Sequence, residues 1–339
     1  MFFFFKRHKF FTAFLIIIIL IIAILPLASI RPIYERDELN YGVTFSARYV
    51  KEMGLNWQDA YTAILDDLRV KRLRLPAYWN EIEYKRNLFN FNDLDWQIQE
   101  AGKRGAKIIL AVGGRLPRWP ECHFPEWTNE LPEDAKQQEI LDYIKTAVER
   151  YKENESIIFW QVENEPFLPH FGDCPKLDSE FLDKEIKLVR SLDKRPIIVT
   201  DSGELSFWVR AAMRADIFGT TMYRDTYSEF LNRYIHYPIP PAFFRLKRNI
   251  TEFLSMPKPK ESIVIELQAE PWGPKPYYML TKEDRERTMN LDKFKEILEY
   301  SRQTGFKEFY LWGVEYWYWE REVNGDAGIW EEAKRIFNF

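Results

Sequence analysis

The chain has 339 residues, a net charge of −4, 17% aromatic residues and 12 Trp. Acidic and basic residues alternate throughout, so no basic stripe of the kind that holds nucleic acid is present. Two Cys and four scattered His make no metal signature.

The N-terminal end differs from the rest. Residues 1–9 end in a basic patch, Lys6, Arg7, His8 and Lys9, and residues 10–30 are an uncharged, mainly apolar run. About 20 apolar residues cross a bilayer as a helix. The positive-inside rule then leaves residues 1–9 in the cytoplasm and everything after the run outside. The expectation is a single transmembrane signal anchor over 10–30, a tether over 31–39 and one folded domain over 40–339. The small-x-small pattern near Pro26-Leu27-Ala28-Ser29 is poor for cleavage, and cleavage there would release a secreted protein instead.

From residue 40 onward, strand-like and helix-like stretches alternate. Gly42 to Ser46 reads as a first strand. Asn56 then caps a helix with Tyr61, Ile64, Leu65 and Leu68 at i, i+3, i+4 and i+7. Lys71 to Leu75, Lys107 to Val112 and Ser156 to Glu163 read as strands two to four. Helices fall near Asp93 to Gly102 and around Ile140, Ile144, Ala147 and Tyr151. Pro196 to Thr200, Ile217 to Met222, Ser262 to Glu266 and Glu308 to Trp312 complete eight strands. Between them lie helices near Ser179 to Leu192, Phe207 to Arg214 and Leu291 to Leu298, and a last one near Ile329 to Ile336. Pro238, Pro240 and Pro241 interrupt a less regular stretch over 227–254.

Eight short β-branched strands alternating with amphipathic helices predict an α/β fold, a (β/α)8 TIM barrel. A doubly wound open sheet would carry a Gly-rich turn after strand one, where Thr44-Phe45-Ser46 stands instead.

In such a barrel, the C-terminal strand ends build the site. There the sequence places Arg74, Asn164 and Glu165, Asp201 and Glu204, Tyr223, Glu266 and Trp312. A ring of carboxylates with one Arg, one Tyr and a Trp is poor core material. The octapeptide Phe159-Trp160-Gln161-Val162-Glu163-Asn164-Glu165-Pro166 resembles the strand-four motif of clan A glycoside hydrolases, and Ile263-Val264-Ile265-Glu266 resembles their strand-seven motif. With Arg74 on strand two, Tyr223 on strand six and Trp312 on strand eight in the same order, the resemblance covers the whole domain and is of a family 5- or 39-like kind. Glu-Leu-Gln-Ala-Glu-Pro-Trp (266–272) departs from the usual family 5 cellulase ending, which leaves the substrate open.

The resemblance implies a retaining hydrolase of an extracytoplasmic glycan, with Glu165 as acid/base and Glu266 as nucleophile, and without a cofactor. It also implies that Asn164 contacts a sugar hydroxyl, that Arg74 and Tyr223 contact Glu266, and that Trp312 floors the sugar site. Two rivals stay open. Glu163 shares a strand face with Glu165 if the strand is regular, and Glu270, just past strand seven, competes with Glu266. Trp79, Trp119, Trp208, Trp272 and Trp319 lie in strand-end loops, where stacking on sugar and packing under a loop are equally open. Cys122 and Cys174, each about nine residues past a strand end on neighbouring loops, are expected to pair. Transglycosylation by the same mechanism, a non-catalytic carbohydrate-binding barrel and a membrane-tethered scaffold are the alternative functions.

Overall fold

The computed structural model describes residues 33–169, 171–175 and 178–337. The expected cytoplasmic segment 1–9 and anchor 10–30 lie outside the described residues, and among the described residues no helix is long and apolar enough to cross a membrane.

Eight parallel strands close into a barrel: β1 (Asn40–Thr44), β2 (Arg72–Pro76), β3 (Lys107–Val112), β4 (Ile157–Val162), β5 (Ile197–Asp201), β6 (Ile217–Met222), β9 (Glu261–Gln268) and β10 (Glu308–Trp312). After β6 the chain adds an antiparallel hairpin, β7 (Asp225–Ser228) with β8 (Arg233–His236). The fold is thus the expected (β/α)8 barrel. Inside it, Ile109, Ile198, Ile217, Ile263, Ile265 and Tyr310 pack on one another. The outward strand faces join the helices in a second, larger apolar layer. Burying an Ile or Leu side chain of this kind contributes about 1.5–3 kcal/mol.

Local signals explain the helices. Asn56 Oδ1 accepts from Gln58 N at 2.9 Å, capping Trp57–Asp66, whose Ala60, Tyr61, Ile64 and Leu65 face the strands. The stretch expected to be irregular is ordered: it contains the hairpin and a 14-residue helix, Pro241–Leu254. Pro240 and Pro241 start that helix rather than interrupt it, since Pro at the first helical position forfeits only an N–H that has no partner there. The helix Val314–Asn324 after β10 has buried residues on every side, from Val314 to Trp319, and so shows no amphipathic period.

One irregularity positions chemistry. Thr220 pairs with Val264, but Thr221 pairs with Glu266, so β9 carries an extra residue there. Ile263 and Ile265 point into the barrel, and strict alternation would send Glu266 outward. The bulge turns it back in.

Candidate active site

Arg74 on β2 is fully buried and is the hub of the site. Its guanidinium donates to Glu266 Oε1 at 2.7 Å, Asn164 Oδ1 at 2.6 Å and Gln161 Oε1 at 2.8 Å. Tyr223, just past β6, donates its hydroxyl to Glu266 Oε2 at 2.8 Å. Both oxygens of Glu266 therefore accept a strong donor. Burial and the charge of Glu266 hold the Tyr223 phenol well above its usual range, so it stays a donor. Arg74 pairs with Glu266 and not with a β4 acid.

The end of β4 separates the two acids that a regular strand would aim alike. Glu163 and Glu165 have φ of 59° and 43°, left-handed values that side-chain-bearing residues adopt at a cost. Glu163 accepts Gly114 N and Arg115 N, each at 2.7 Å. A Cβ on Gly113 would collide with the Glu163 carboxyl, so only glycine fits there. Glu163 thus staples the β3 loop and is not free for catalysis. Behind it, Glu185 of the helix Ser179–Leu192 is fully buried, and neither oxygen finds an N–H or O–H donor among the described residues. Burial and then the charge of Glu163 push the Glu185 carboxyl up. One proton shared between the two carboxyls satisfies both.

Glu165 is anchored by its backbone N–H, which donates to Thr200 Oγ1 at 2.8 Å. Its side chain is buried with no ion pair of its own among the described residues. Burial first, then Glu266 and Glu121, raise its carboxyl well above the usual range. On the barrel, β4 and β9 are separated by β5 and β6, and the charge of Glu266 acts on Glu165, so both carboxyls border the same mouth. A carboxyl pushed toward its neutral form and a second one braced by two donors are an arrangement able to support two-carboxylate cleavage of a glycosidic bond.

Asn164 shares the Arg74 guanidinium with Glu266. Its Oδ1 also accepts from Gln161 Nε2 at 3.2 Å, and its Nδ2 donates to Glu121 Oε2 at 3.1 Å. Glu121, in the loop after β3, is buried, and burial followed by the charge of Glu266 pushes it up to about 8. The Cys122–Cys174 disulfide, with Cα atoms 5.3 Å apart, ties that loop to the one after β4.

Glu270 belongs to a second cluster. Arg118 bridges it to Glu315 and lies 4.2 Å over the Trp312 ring and 4.4 Å over the Tyr49 ring. Trp312 Nε1 donates to Glu270 Oε1 at 2.8 Å, while Glu270 Oε2 has no hydrogen-bond partner among the described residues. Burial raises the Glu270 carboxyl to about 7 against the pull of Arg118. Neither Arg74 nor Tyr223 reaches it.

The tryptophans divide. Trp272 stacks on Phe171 and meets Tyr223, the donor to Glu266, edge-on at 5.2 Å. Trp119 is 64% exposed. Trp79, expected to meet substrate, is instead fully buried, stacked on Tyr143, with its N–H on Glu83. Its ring fills the space between the β2 loop and the helix Glu133–Tyr151, so no sugar reaches it. Trp208 and Trp319 are likewise buried. Sequence reasoning missed Gln161, Thr200, Glu121, Arg118 and Glu315 as site residues. Gln161 was within reach of period two, since it shares a face with the barrel interior, and Glu121 adjoins the bonded Cys122.

No group of three or more His, Cys, Asp or Glu suited to a metal occurs among the described residues. A cavity of about 310 Å³ lies beside the mouth, lined by Arg48, Asn80, Glu81 and Tyr84 among others, and includes neither Glu165 nor Glu266.

Known proteins share this architecture. The β-galactosidase BgaA of Clostridium cellulovorans is 24% identical over 192 residues, which are 50% of this chain and 29% of that protein. The chain spans only 20% of the length of the matching β-galactosidase LacA of Lactobacillus acidophilus, to which it is 24% identical over 139 residues. Among solved structures, a β-galactosidase from the haloarchaeon Halorubrum lacusprofundi superposes with a TM-score of 0.55 at 15% identity, covering 81% of this chain and 52% of that one. A GH113 β-1,4-mannanase superposes with a TM-score of 0.52 at 15% identity, covering 88% and 96%. At such identities the superpositions establish the fold alone. The model for cellulase, glycosyl hydrolase family 5, matches residues 39–235, a span that includes Arg74, Asn164, Glu165 and Tyr223 and stops short of Glu266. More than half of the chain is covered by that match, so this chain belongs to the cellulase family, glycosyl hydrolase family 5.

Proposed function

We propose that the chain cleaves β-linked glycosidic bonds of an extracytoplasmic glycan with retention, through a glycosyl-enzyme intermediate on Glu266. One observation carries the reading. Arg74 and Tyr223 brace both oxygens of Glu266, while Glu165, across the mouth, is held neutral. Glu165 then protonates the leaving oxygen as Glu266 attacks the anomeric carbon. With the leaving group gone, Glu165 takes a proton from water, and that water releases the sugar from Glu266. In this reading the Nδ2 of Asn164 and the Oε2 of Glu270, which has no hydrogen-bond partner among the described residues, take sugar hydroxyls, with Trp312, Trp272 and Trp119 supplying apolar faces. The partial sequence similarity to the β-galactosidases BgaA and LacA favours β-linked hexose units as substrate.

Residues 10–30 act as a retained signal anchor, and the disulfide suits the oxidising side of that membrane. Transfer to a second sugar in place of water is the other outcome of the same intermediate.

The test uses the full chain beside Glu165→Gln and Glu266→Gln on aryl β-glycosides and β-linked polysaccharides, with product anomers followed by NMR. Retention, with both variants reduced by orders of magnitude, is expected. Inversion, or an active Glu266→Gln beside a dead Glu270→Gln, overturns the assignment.

A further inference from the structure

The helix Pro241–Leu254 buries Ala242, Phe244 and Thr251 against the barrel. Its outward face is also apolar. Leu246, Ile250 and Phe253 recur at i, i+4 and i+7, Leu254 and Met256 extend the row, and Phe253 and Met256 are 84% and 81% exposed. Residues 241–260 hold Arg245, Lys247, Arg248, Lys258 and Lys260 against the single acid Glu252. A basic helix with an exposed apolar stripe has the composition of one that lies in a membrane surface.

A second observation is independent of the stripe. The first described residue, Ile33, donates its N–H to Arg302 O at 3.0 Å. A Cβ placed on Gly305 would meet Arg245 Cδ at 3.4 Å and Ile33 Cδ1 at 3.6 Å, so Ile33 sits beside the basic helix. Two residues separate Ile33 from Ile30, the last of the apolar run. Three Cα steps of 3.8 Å span at most about 11 Å. With residues 10–30 in the bilayer, the flank around Ile33 is therefore held against lipid.

We propose that this flank, the outer face of Pro241–Leu254 continued through 255–260, rests in the headgroup layer of the bilayer that holds the anchor. The inference rests on the anchor reading of residues 10–30. Ile33 leads into β1 and residues 255–260 lead into β9, so both lie at the N-terminal end of the barrel strands. Glu165 and Glu266 lie toward the opposite end, and with this helix face against the bilayer the barrel lies on its side and the mouth opens along the membrane surface.

The full chain is reconstituted in nanodiscs containing about one-third phosphatidylglycerol. A photo-crosslinking phenylalanine analogue replaces Phe253 or, for comparison, Phe230, which is 96% exposed at the turn of the β7–β8 hairpin on the mouth side. Co-elution with discs and roughly tenfold more lipid adduct from position 253 than from 230 is the expected result. Co-elution with equal or absent adducts at 253 overturns the flank while leaving the anchor standing. A crosslink from 253 to a second copy of the chain also overturns it, in favour of a dimer. Failure to co-elute with discs removes the anchor reading, and the flank proposal with it.

Discussion

Arg74→Met is the most informative single perturbation, because Arg74 donates to three buried acceptors from a fully buried position. Met keeps much of the volume and removes the charge. Glu266 then retains only the Tyr223 hydroxyl, and Gln161 Oε1 loses its donor. Breaking a buried ion pair from one side costs about 3–5 kcal/mol, because the remaining charge is stranded. For a domain of about 300 residues the melting temperature should fall by roughly 5–8 °C. The same change releases the nucleophile position and Asn164 together, and loss of their orientation should lower kcat/KM by on the order of a hundredfold or more. The double variant Arg74→Met/Glu266→Gln removes the stranded charge and should regain at least about 1 kcal/mol of that loss while remaining inactive. Thermal unfolding followed by circular dichroism, beside initial rates, reads both quantities. A double variant no more stable than Arg74→Met, or an Arg74→Met protein that melts like wild type, would refute the reasoning.

Three further outcomes are expected. The Glu121 carboxyl titrates at about 8 in the fold against 4.5 when unperturbed. Its neutral form is the one the fold favours, so this stabilisation is complete below about 4.5 and is lost as pH rises to about 8, at up to ~1.4 kcal/mol per pH unit. Glu121→Gln should flatten that part of the stability–pH curve, and an unchanged slope would rule out the assignment. Glu185 is raised by burial and Glu163, so stability again falls as pH rises through its titration. Glu185→Gln, which keeps a donor toward Glu163, should melt above wild type at pH 9, whereas Glu185→Ala should melt below it at pH 6; two variants indistinguishable at both values would count against a shared proton. The disulfide closes a loop with a sequence separation of 52, for which chain entropy predicts about 4 kcal/mol. Cys122→Ser/Cys174→Ser should therefore melt roughly 6 °C lower and lose activity through displacement of Glu121; equal melting temperatures would show that the pairing contributes nothing to stability.

Much of this molecule is written locally. The strand positions follow from short β-branched runs, and the helix after Asn56 follows from a cap and one apolar stripe, because these depend only on near neighbours in the chain. The bridge between Cys122 and Cys174 was legible from the barrel alone, which brings the loops after β3 and β4 side by side. Other features had no local signal. Glu163 and Glu165 are indistinguishable by spacing, and only left-handed backbone at both separates the staple from the acid. Glu266 faces the mouth because neighbouring strands force a bulge into β9. Trp79 in a strand-end loop reads the same whether it meets sugar or core, and packing against Tyr143 decided for the core. The sequence by itself determined which residue types stand at the barrel mouth. The tertiary structure decided which of them are neutral, paired or spent on support, because burial and charge separation exist only once distant strands meet.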